Sequence, residues 1–388
     1  MDWKNLETAK DMPLPAAQDD EYTEVAWGIN KAGEDFKPMH IHRSKCRDGD
    51  VRVDLQYCGI CHTDVHIALN HLGGSMYPLV PGHELVGVVA EVGKDVKKVK
   101  VGDRVGIGCM CDGCGECSSC KGGNEQYCSK AGWNHVYNDV KKYGHMGGNQ
   151  ATQTFGGYSG SHCLPEHWII KIPDGMPLDA AAPLLCAGIT MYDPLKHWGA
   201  TKQDRVMTIG IVGIGGLGTM GIKLAKAMGH RVIAISHTPG KAALATSKGA
   251  DAFVVSSDPE SVKAEAGKCD LILNTVAAPH QVATYIDLMA QDGTIVQLGV
   301  FGEPHMVCQL PLIFGRKAIA GSLIGGVANT EECLAFCHQH NILPDIENVN
   351  ADKIGWVFEK LAQSNADGVR YVLDIKKSQE NKEFMPAE

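Results

Sequence analysis

The sequence predicts an α/β protein in two parts: a β-rich domain and, set within it, a doubly wound parallel sheet. Three observations predict it. Up to about residue 175, short apolar runs such as DVRVDLQYCG and ELVGVVAEVG are broken by Gly, Pro or Asp roughly every eight to twelve residues, the spacing of a β-rich domain. From about residue 205, apolar strands alternate with helical segments, the pattern of βαβ units. A last apolar run, RYVLDI, comes after the parallel sheet already has its six strands, and is expected to return to the first domain.

Taken in order, the second part opens with the strand VMTIGIV and the helix GLGTMGIKLAKAMG. RVIAIS, a helical PGKAALATSKG, DAFVVSS and DLILNTV follow, then a helix near PHQVATYIDLMAQDG and the strands TIVQLGV and AIAGSLIGG. After Gly326 two helical stretches, TEECLAFCHQHNI and ADKIGWVFEKLAQSN, lead to RYVLDI. The expected division is therefore 1–186 with 327–388 for one domain and 187–326 for the other. The segment 130–157, rich in Gly, Asn and His, reads as a long surface loop.

Composition narrows the functional classes. A chain of 388 residues can bury a large core, and 36 basic against 45 acidic side chains leave a net charge of −9. That balance argues against a nucleic-acid surface or an anionic membrane partner and leaves small molecules, or further copies of the chain, as the expected partners. The amino terminus lacks the apolar run of a signal peptide and the arginine-rich, acid-poor character of a transit peptide, and no segment is apolar enough for a bilayer span, so a cytoplasmic location is expected. The count of fifteen cysteines is odd, and they crowd between Cys109 and Cys128, which suggests metal binding in a reducing compartment rather than a disulfide framework.

The crowd has internal order. Cys114, Cys117, Cys120 and Cys128 follow a Cys-x-x-Cys-x-x-Cys spacing with a fourth Cys after seven more residues. Four soft thiolates in a short loop make a closed tetrahedral zinc shell, which shapes a loop and leaves no open position for chemistry. A second set is scattered: Cys61 in CGICHTDVH, His83 in the GHE motif, and Cys186 in LLCAGITMY. Two Cys and one His with an exchangeable fourth position are a known solution for a catalytic zinc. Gly213, Gly215, Gly216 and Gly218 form Gly-x-Gly-Gly-x-Gly between an apolar strand and a helix, the turn that brings a dinucleotide pyrophosphate to a helix N-terminus. At the end of the following strand an NAD enzyme usually carries Asp or Glu; here Ser236 is followed by His237, Thr238 and Lys241, a neutral and partly basic set that favours NADP through its 2′-phosphate. Ser236 and Thr238 could instead cap the next helix, and both roles can coexist.

Together, CGICHTDVH, YPLVPGHELVGVVAEVG, the four-cysteine loop, LLCAGITMY, GIGGLG, GRKAIAGSLIGG and VRYVLDI resemble the medium-chain zinc alcohol dehydrogenases, in particular their cinnamyl alcohol dehydrogenase branch, over roughly residues 25–375. The resemblance implies a GroES-like catalytic domain, a Rossmann domain, a homodimer, two zinc ions per chain and NADP(H)-linked interconversion of alcohols and aldehydes. It implies that Cys61, His83 and Cys186 hold the catalytic zinc, with Glu84 able to enter the shell, and that Cys114, Cys117, Cys120 and Cys128 hold the structural one. Asp64 would orient His83, and Thr63 and His66 would form a proton relay. Thr190 would meet the nicotinamide end, and Trp133 would line the substrate pocket. Cys109 and Cys111, just ahead of the four-cysteine loop, are competing ligands, and the segment 134–154 is longer than the branch leads one to expect. A mannitol-type polyol dehydrogenase would share every ligand. A zinc-free quinone reductase would lack them, and a non-enzymatic zinc module would leave the glycine turn unexplained.

Overall fold

The computed structural model describes residues 19–146, 152–202, 204–300, 304, 306–363 and 368–380. Its first strands are β1 (Glu21–Gly28) and β2 (Lys37–Ser44), an antiparallel ribbon. Then come β3 (Asp50–Ile60), β4 (Leu85–Val92), β5 (Arg104–Ile107), β6 (Met110–Asp112), β7 (Asn134–His135), β8 (Ser161–Pro165) and β9 (Ile170–Lys171). The alternating segment supplies β10 (Thr208–Val212), β11 (Arg231–Ser236), β12 (Ala252–Val255), β13 (Cys269–Asn274), β14 (Met289–Gln297) and β15 (Ala318–Gly321), and the chain ends with β16 (Ile346–Val349) and β17 (Arg370–Asp374).

Strands β10 to β15 form one parallel sheet in the order β12-β11-β10-β13-β14-β15, the doubly wound order that reverses beside β10. Their near-continuous apolar runs are what a sheet covered on both faces requires: Ile209, Ile211, Ile233, Ile235, Leu271 and Leu273 are all buried. The other large sheet runs β16-β17-β3-β4-β5-β9, with β8 also on β3. The late strand does come back: β17 pairs antiparallel with β3, Tyr371 opposite Ile60 and Leu373 opposite Cys58. That return sets Arg370 at the start of β17, close to where β3 hands over to the helix His62–Ala68. No described helix is long and apolar enough to cross a membrane.

The reading of 130–157 as a surface loop needs correction. Asn134 and His135 form β7 against β6, while Val136, Tyr137 and Phe155 are buried. Polar, glycine-rich composition is what suggested a loop; a few apolar side chains within it are enough to turn the segment inward. Residues 147–151 of the long segment lie outside the described residues.

Candidate metal and cofactor site

The first cluster is assembled at the end of β3. Cys61 caps the helix His62–Ala68, and three residues on, the Asp64 carboxylate accepts a hydrogen bond from the Cys61 backbone N–H at 2.9 Å. This capping arrangement fixes both side chains at once. Asp64 Oδ1 lies 3.0 Å from His83 Nδ1, so the imidazole presents Nε2 toward Cys61, Glu84 and Cys186. Cys186 arrives from far along the chain, capping the helix Ala187–His197, with its Sγ 4.0 Å from Cys61 Sγ. One ligand atom from each of Cys61, His83, Glu84 and Cys186 lies within 4.8 Å of the others.

The electrostatics are those of a buried polar cluster. The Cys186 thiol beside it, helped by His83, holds the Cys61 thiol well below its usual range against the opposing effect of burial. Burial works against charging His83, but the Asp64 carboxylate outweighs it and holds the imidazole well above its usual value. Burial pushes the Glu84 carboxyl up to about 7, opposed by Arg370, which forms a close ion pair with Glu84 Oε1. Glu84 Oε2 is buried without a hydrogen-bond partner. It also sits against Gly59, where a Cβ would come within 1.8 Å of it. A carboxylate beside two thiols and an imidazole nitrogen is a donor set that fits a borderline-soft divalent cation, and it is Oε1, the oxygen paired with Arg370, that lies 4.0 Å from His83 Nε2.

The second cluster is local. Cys117 caps the short helix Ser118–Lys121, and backbone N–H groups point at sulfur: Cys117 N to Cys114 Sγ at 3.3 Å and Cys120 N to Cys117 Sγ at 3.5 Å. The Cys120 backbone N–H is the leading cause of a Cys117 thiol pulled down to about 5. All four sulfurs of Cys114, Cys117, Cys120 and Cys128 lie within 4.8 Å of one another, and none of these cysteines is in a disulfide. The loop is tied to the rest of the chain through Glu125, which accepts from Val327 N at 3.3 Å and meets His167 Nε2 at 3.0 Å.

Neither competing cysteine joins the four-cysteine loop. Cys111 is buried and donates to the carbonyl of His135 at 3.2 Å. Cys109, in the turn between β5 and β6, interacts with the Cys186 thiol at the first cluster.

The glycine turn is built as its spacing predicts. Gly213 has φ +88, where a Cβ would be strained and would also meet Thr275 Oγ1 at 2.6 Å. Gly215 caps the helix Gly216–Ala227 with open space around its missing Cβ, and a Cβ on Gly218 would stand 1.8 Å from the Gly213 carbonyl. At the end of β11, Ser236 Oγ accepts from Thr238 N at 3.4 Å, and the His237 carbonyl accepts from Ser257 Oγ at 3.0 Å. Thr238 precedes the short turn Pro239–Lys241 but makes no side-chain capping bond, so the capping alternative is not realised by its hydroxyl.

The remaining predicted residues are placed as follows. Thr63 Oγ1 is 3.7 Å from Cys61 Sγ. His66 does not hydrogen-bond Thr63; its ring stacks on His62 with centroids 4.6 Å apart, its Nδ1 is 3.1 Å from His71 Nδ1, and its Nε2 is buried without a partner. Thr190 is buried one helical turn beyond Cys186, its backbone N–H bonded to the Cys186 carbonyl at 2.9 Å. Trp133 is buried and stacked on His135 at 3.8 Å between centroids. Sequence reasoning missed Arg370 and Tyr137, which reach Glu84 and Asp64 from distant segments. A carboxylate expected beside a metal calls for a counter-charge, but nothing in the sequence picks out Arg370 as its source.

Comparison with known proteins gives two family matches: the Alcohol dehydrogenase GroES-like domain over residues 47–174 and Zinc-binding dehydrogenase over residues 216–339. An NADP-dependent alcohol dehydrogenase C of Mycolicibacterium smegmatis is 43% identical over 352 residues, covering 91% of this chain and 98% of the relative. A probable mannitol dehydrogenase of Medicago sativa is 41% identical over 353 residues, covering 91% and 95%. Among solved structures, a cinnamyl alcohol dehydrogenase from Sorghum bicolor superposes with a TM-score of 0.86 at 38% identity, covering 92% of this chain and 99% of that one.

Proposed function

The chain belongs to the zinc-binding alcohol dehydrogenase family, GroES-like domain included, and from that premise we propose that it interconverts primary alcohols and aldehydes with zinc and NADP(H), aldehyde reduction of the cinnamyl or aromatic type being its working direction. The observation that carries this reading is the gathering of Cys61, His83, Glu84 and Cys186 from three separate segments into one buried group of metal-binding character. When bound, zinc supplies the Lewis acidity that lets an alcohol hydroxyl lose its proton near neutral pH, and the nicotinamide supplies the hydride chemistry.

The side chains do the rest. Cys61, His83 and Cys186 would hold the catalytic zinc, with Asp64 fixing the tautomer and direction of His83. Glu84, whose Oε1 lies 4.0 Å from His83 Nε2 and also pairs with Arg370, would enter the shell by exchanging that ion pair for the metal. Cys114, Cys117, Cys120 and Cys128 would hold a structural zinc. Thr63, beside Cys61, would take up the substrate's hydroxyl proton, and His66 would exchange it with solvent. Gly213, Gly215, Gly216 and Gly218 would cradle the pyrophosphate. Ser236, His237, Thr238 and Lys241 would receive the 2′-phosphate, Thr190 would meet the nicotinamide, and Trp133 would shape the pocket. Residues 1–186 with 327–388 would form the catalytic domain around 187–326.

The sheet edge at β15 suggests the assembly. Beside it the helix Gln309–Gly315 exposes Leu310, Ile313 and Phe314 at 60%, 68% and 85%. An open sheet edge flanked by exposed apolar side chains is suited to a second copy of the chain, and a cytoplasmic homodimer is the proposed form.

Elemental analysis of protein purified without added metal should give two zinc ions per chain; one, with full activity, would remove a site. A kinetic panel with NADPH should favour cinnamaldehyde and benzaldehyde over fructose. The relative named a mannitol dehydrogenase makes the reverse order the rival outcome.

A further inference from the structure

The chemistry above makes no use of the long segment after the four-cysteine loop, yet that segment reaches the buried cluster. The Tyr137 hydroxyl donates to Asp64 Oδ1 at 2.7 Å, and its ring lies parallel to that of His83, with centroids 6.1 Å apart and planes 19° apart. Asp64 is fully buried. Its Oδ2 accepts from Cys61 N at 2.9 Å and from the Tyr158 hydroxyl at 3.3 Å. Its Oδ1, the oxygen that faces His83 Nδ1 at 3.0 Å, also accepts from Gly82 N at 3.2 Å and from Tyr137. The Tyr137 bond is the shortest of the five.

Tyr137 is not placed by chance. Val136 N donates to the Cys109 carbonyl at 2.8 Å. On the other side Asn138 takes a left-handed φ of +56, bonds Thr154 O through its own N–H at 3.2 Å, and accepts Met76 N on its side chain at 2.8 Å. With both neighbours pinned, the backbone that carries the ring is fixed, and burial together with the bond to Asp64 holds the ring itself. The terminal torsion of an aspartate is broad and sets where its oxygens point, so the number and direction of donors decide how firmly it is held. A carboxylate that turned about that torsion would carry the imidazole with it.

We propose that Tyr137 is a positioning residue for the catalytic metal: through Asp64 Oδ1 it locks the direction of His83 Nε2, which gives the first half of the 134–154 segment a function. The proposal rests on the reading that Cys61, His83 and Cys186 hold zinc. A group bonded directly to a ligand, as Asp64 is to His83, typically changes metal retention by about 10–100-fold, and Tyr137, one hydrogen bond further out, is expected at the low end of that range.

The test compares wild type, Tyr137→Phe, Asp64→Asn and the double variant, all as full-length zinc-loaded protein. Zinc release to excess EDTA is followed, together with the visible spectrum after cobalt replaces the catalytic zinc. Tyr137→Phe keeps the ring and loses only the hydroxyl. It should release one of the two zinc ions about 10-fold faster, shift the cobalt bands and leave the other ion's release unchanged. In the Asp64→Asn background the same change should add nothing. Release at the wild-type rate with an unshifted spectrum would overturn the proposal, since packing alone would account for the ring. So would an equal effect in both backgrounds, or a Tyr137→Phe chain that cannot fold, which would make the hydroxyl a determinant of folding rather than of metal geometry. Wild-type protein with only one zinc would instead refute the metal reading on which the proposal stands.

Discussion

Replacing Arg370 with Met tests whether the cluster is balanced as a set of charges or merely packed. Glu84 is fully buried, and Arg370, nearly so, is its ion-pair partner from β17. Removing one member of a buried pair leaves an uncompensated charge and typically costs about 3–5 kcal/mol. Burial already holds the Glu84 carboxyl up at about 7 with the guanidinium beside it; without Arg370 that value rises further. A carboxyl whose folded value is raised stabilises the fold below its unfolded value and loses that contribution as pH climbs through the folded one. At about pH 5.5 the carboxyl is therefore largely neutral in both proteins, and losing the partner matters little. At about pH 8.5 the wild type carries a paired charge, whereas the variant must bury a bare one or bind a proton against the solution.

With an unfolding entropy of about 2.1 cal/mol/K per residue, a loss of roughly 4 kcal/mol lowers Tm by about 5 °C in a chain this long. Differential scanning calorimetry at the two pH values, on protein stripped of the metal beside Glu84 because that cation's charge would itself favour the ionised carboxylate, measures it. The expected result is a fall of about 5 °C at the higher pH and less than half of that at the lower. Equal losses at both would show that Arg370 contributes packing alone, and a larger loss at acid pH would reverse the sign of the argument.

Three further outcomes follow from the site. Ser236→Asp should lower the ratio of kcat/KM for NADPH over NADH at least about 10-fold by placing a charge against the 2′-phosphate; a wild-type enzyme already faster with NADH would sink the cofactor assignment. Cys61→Ser should abolish turnover in a folded protein, while Cys117→Ser should chiefly lower thermal stability, because a structural zinc contributes folding free energy directly; matching behaviour in activity and melting assays would contradict the division of roles. Burial, with His62 and His71 nearby, keeps the His66 imidazole below its usual value and so neutral and able to accept a proton into mildly acidic solution. His66→Ala should slow alcohol oxidation about 10-fold near pH 6.5 and less near pH 9, with both zinc ions retained, and an unchanged pH–rate profile would place His66 outside the relay.

What could be read from the chain before folding was whatever lies close together along it. The four-cysteine loop declares itself because all its ligands fall within one short run, and the turn from Gly213 to Gly218 because one strand, one turn and one helix contain it. Cys61, His83 and Cys186 were legible only as members of a set, since each alone is an ordinary buried side chain. Arg370 and Tyr137 were not legible. Each reaches its carboxylate across a long stretch of chain, 286 residues for Arg370 to Glu84 and 73 for Tyr137 to Asp64, and no local periodicity marks such a contact. The segment around Tyr137 misled for a related reason: its glycines and asparagines describe how the backbone turns, whereas its burial is decided by the partner it meets.

The same distinction explains why one chain builds two metal-binding groups of different character. In the four-cysteine loop the backbone itself orients the ligands, with N–H groups aimed at Cys114 and Cys117, so the geometry is set by local torsions and survives small movements elsewhere. The other group depends on β3, on the GHE segment, on a helix start at Cys186 and on β17 all meeting. Its ligands are aimed by Asp64 and its charge is balanced by Arg370, each held by further contacts. Because no single loop fixes all of its members, a site of that kind suits the shell exchange proposed for Glu84. Its cost is dependence on distant residues. Single changes far along the chain from Cys61, at Tyr137 or Arg370, are therefore expected to disturb this centre while leaving the four-cysteine loop intact.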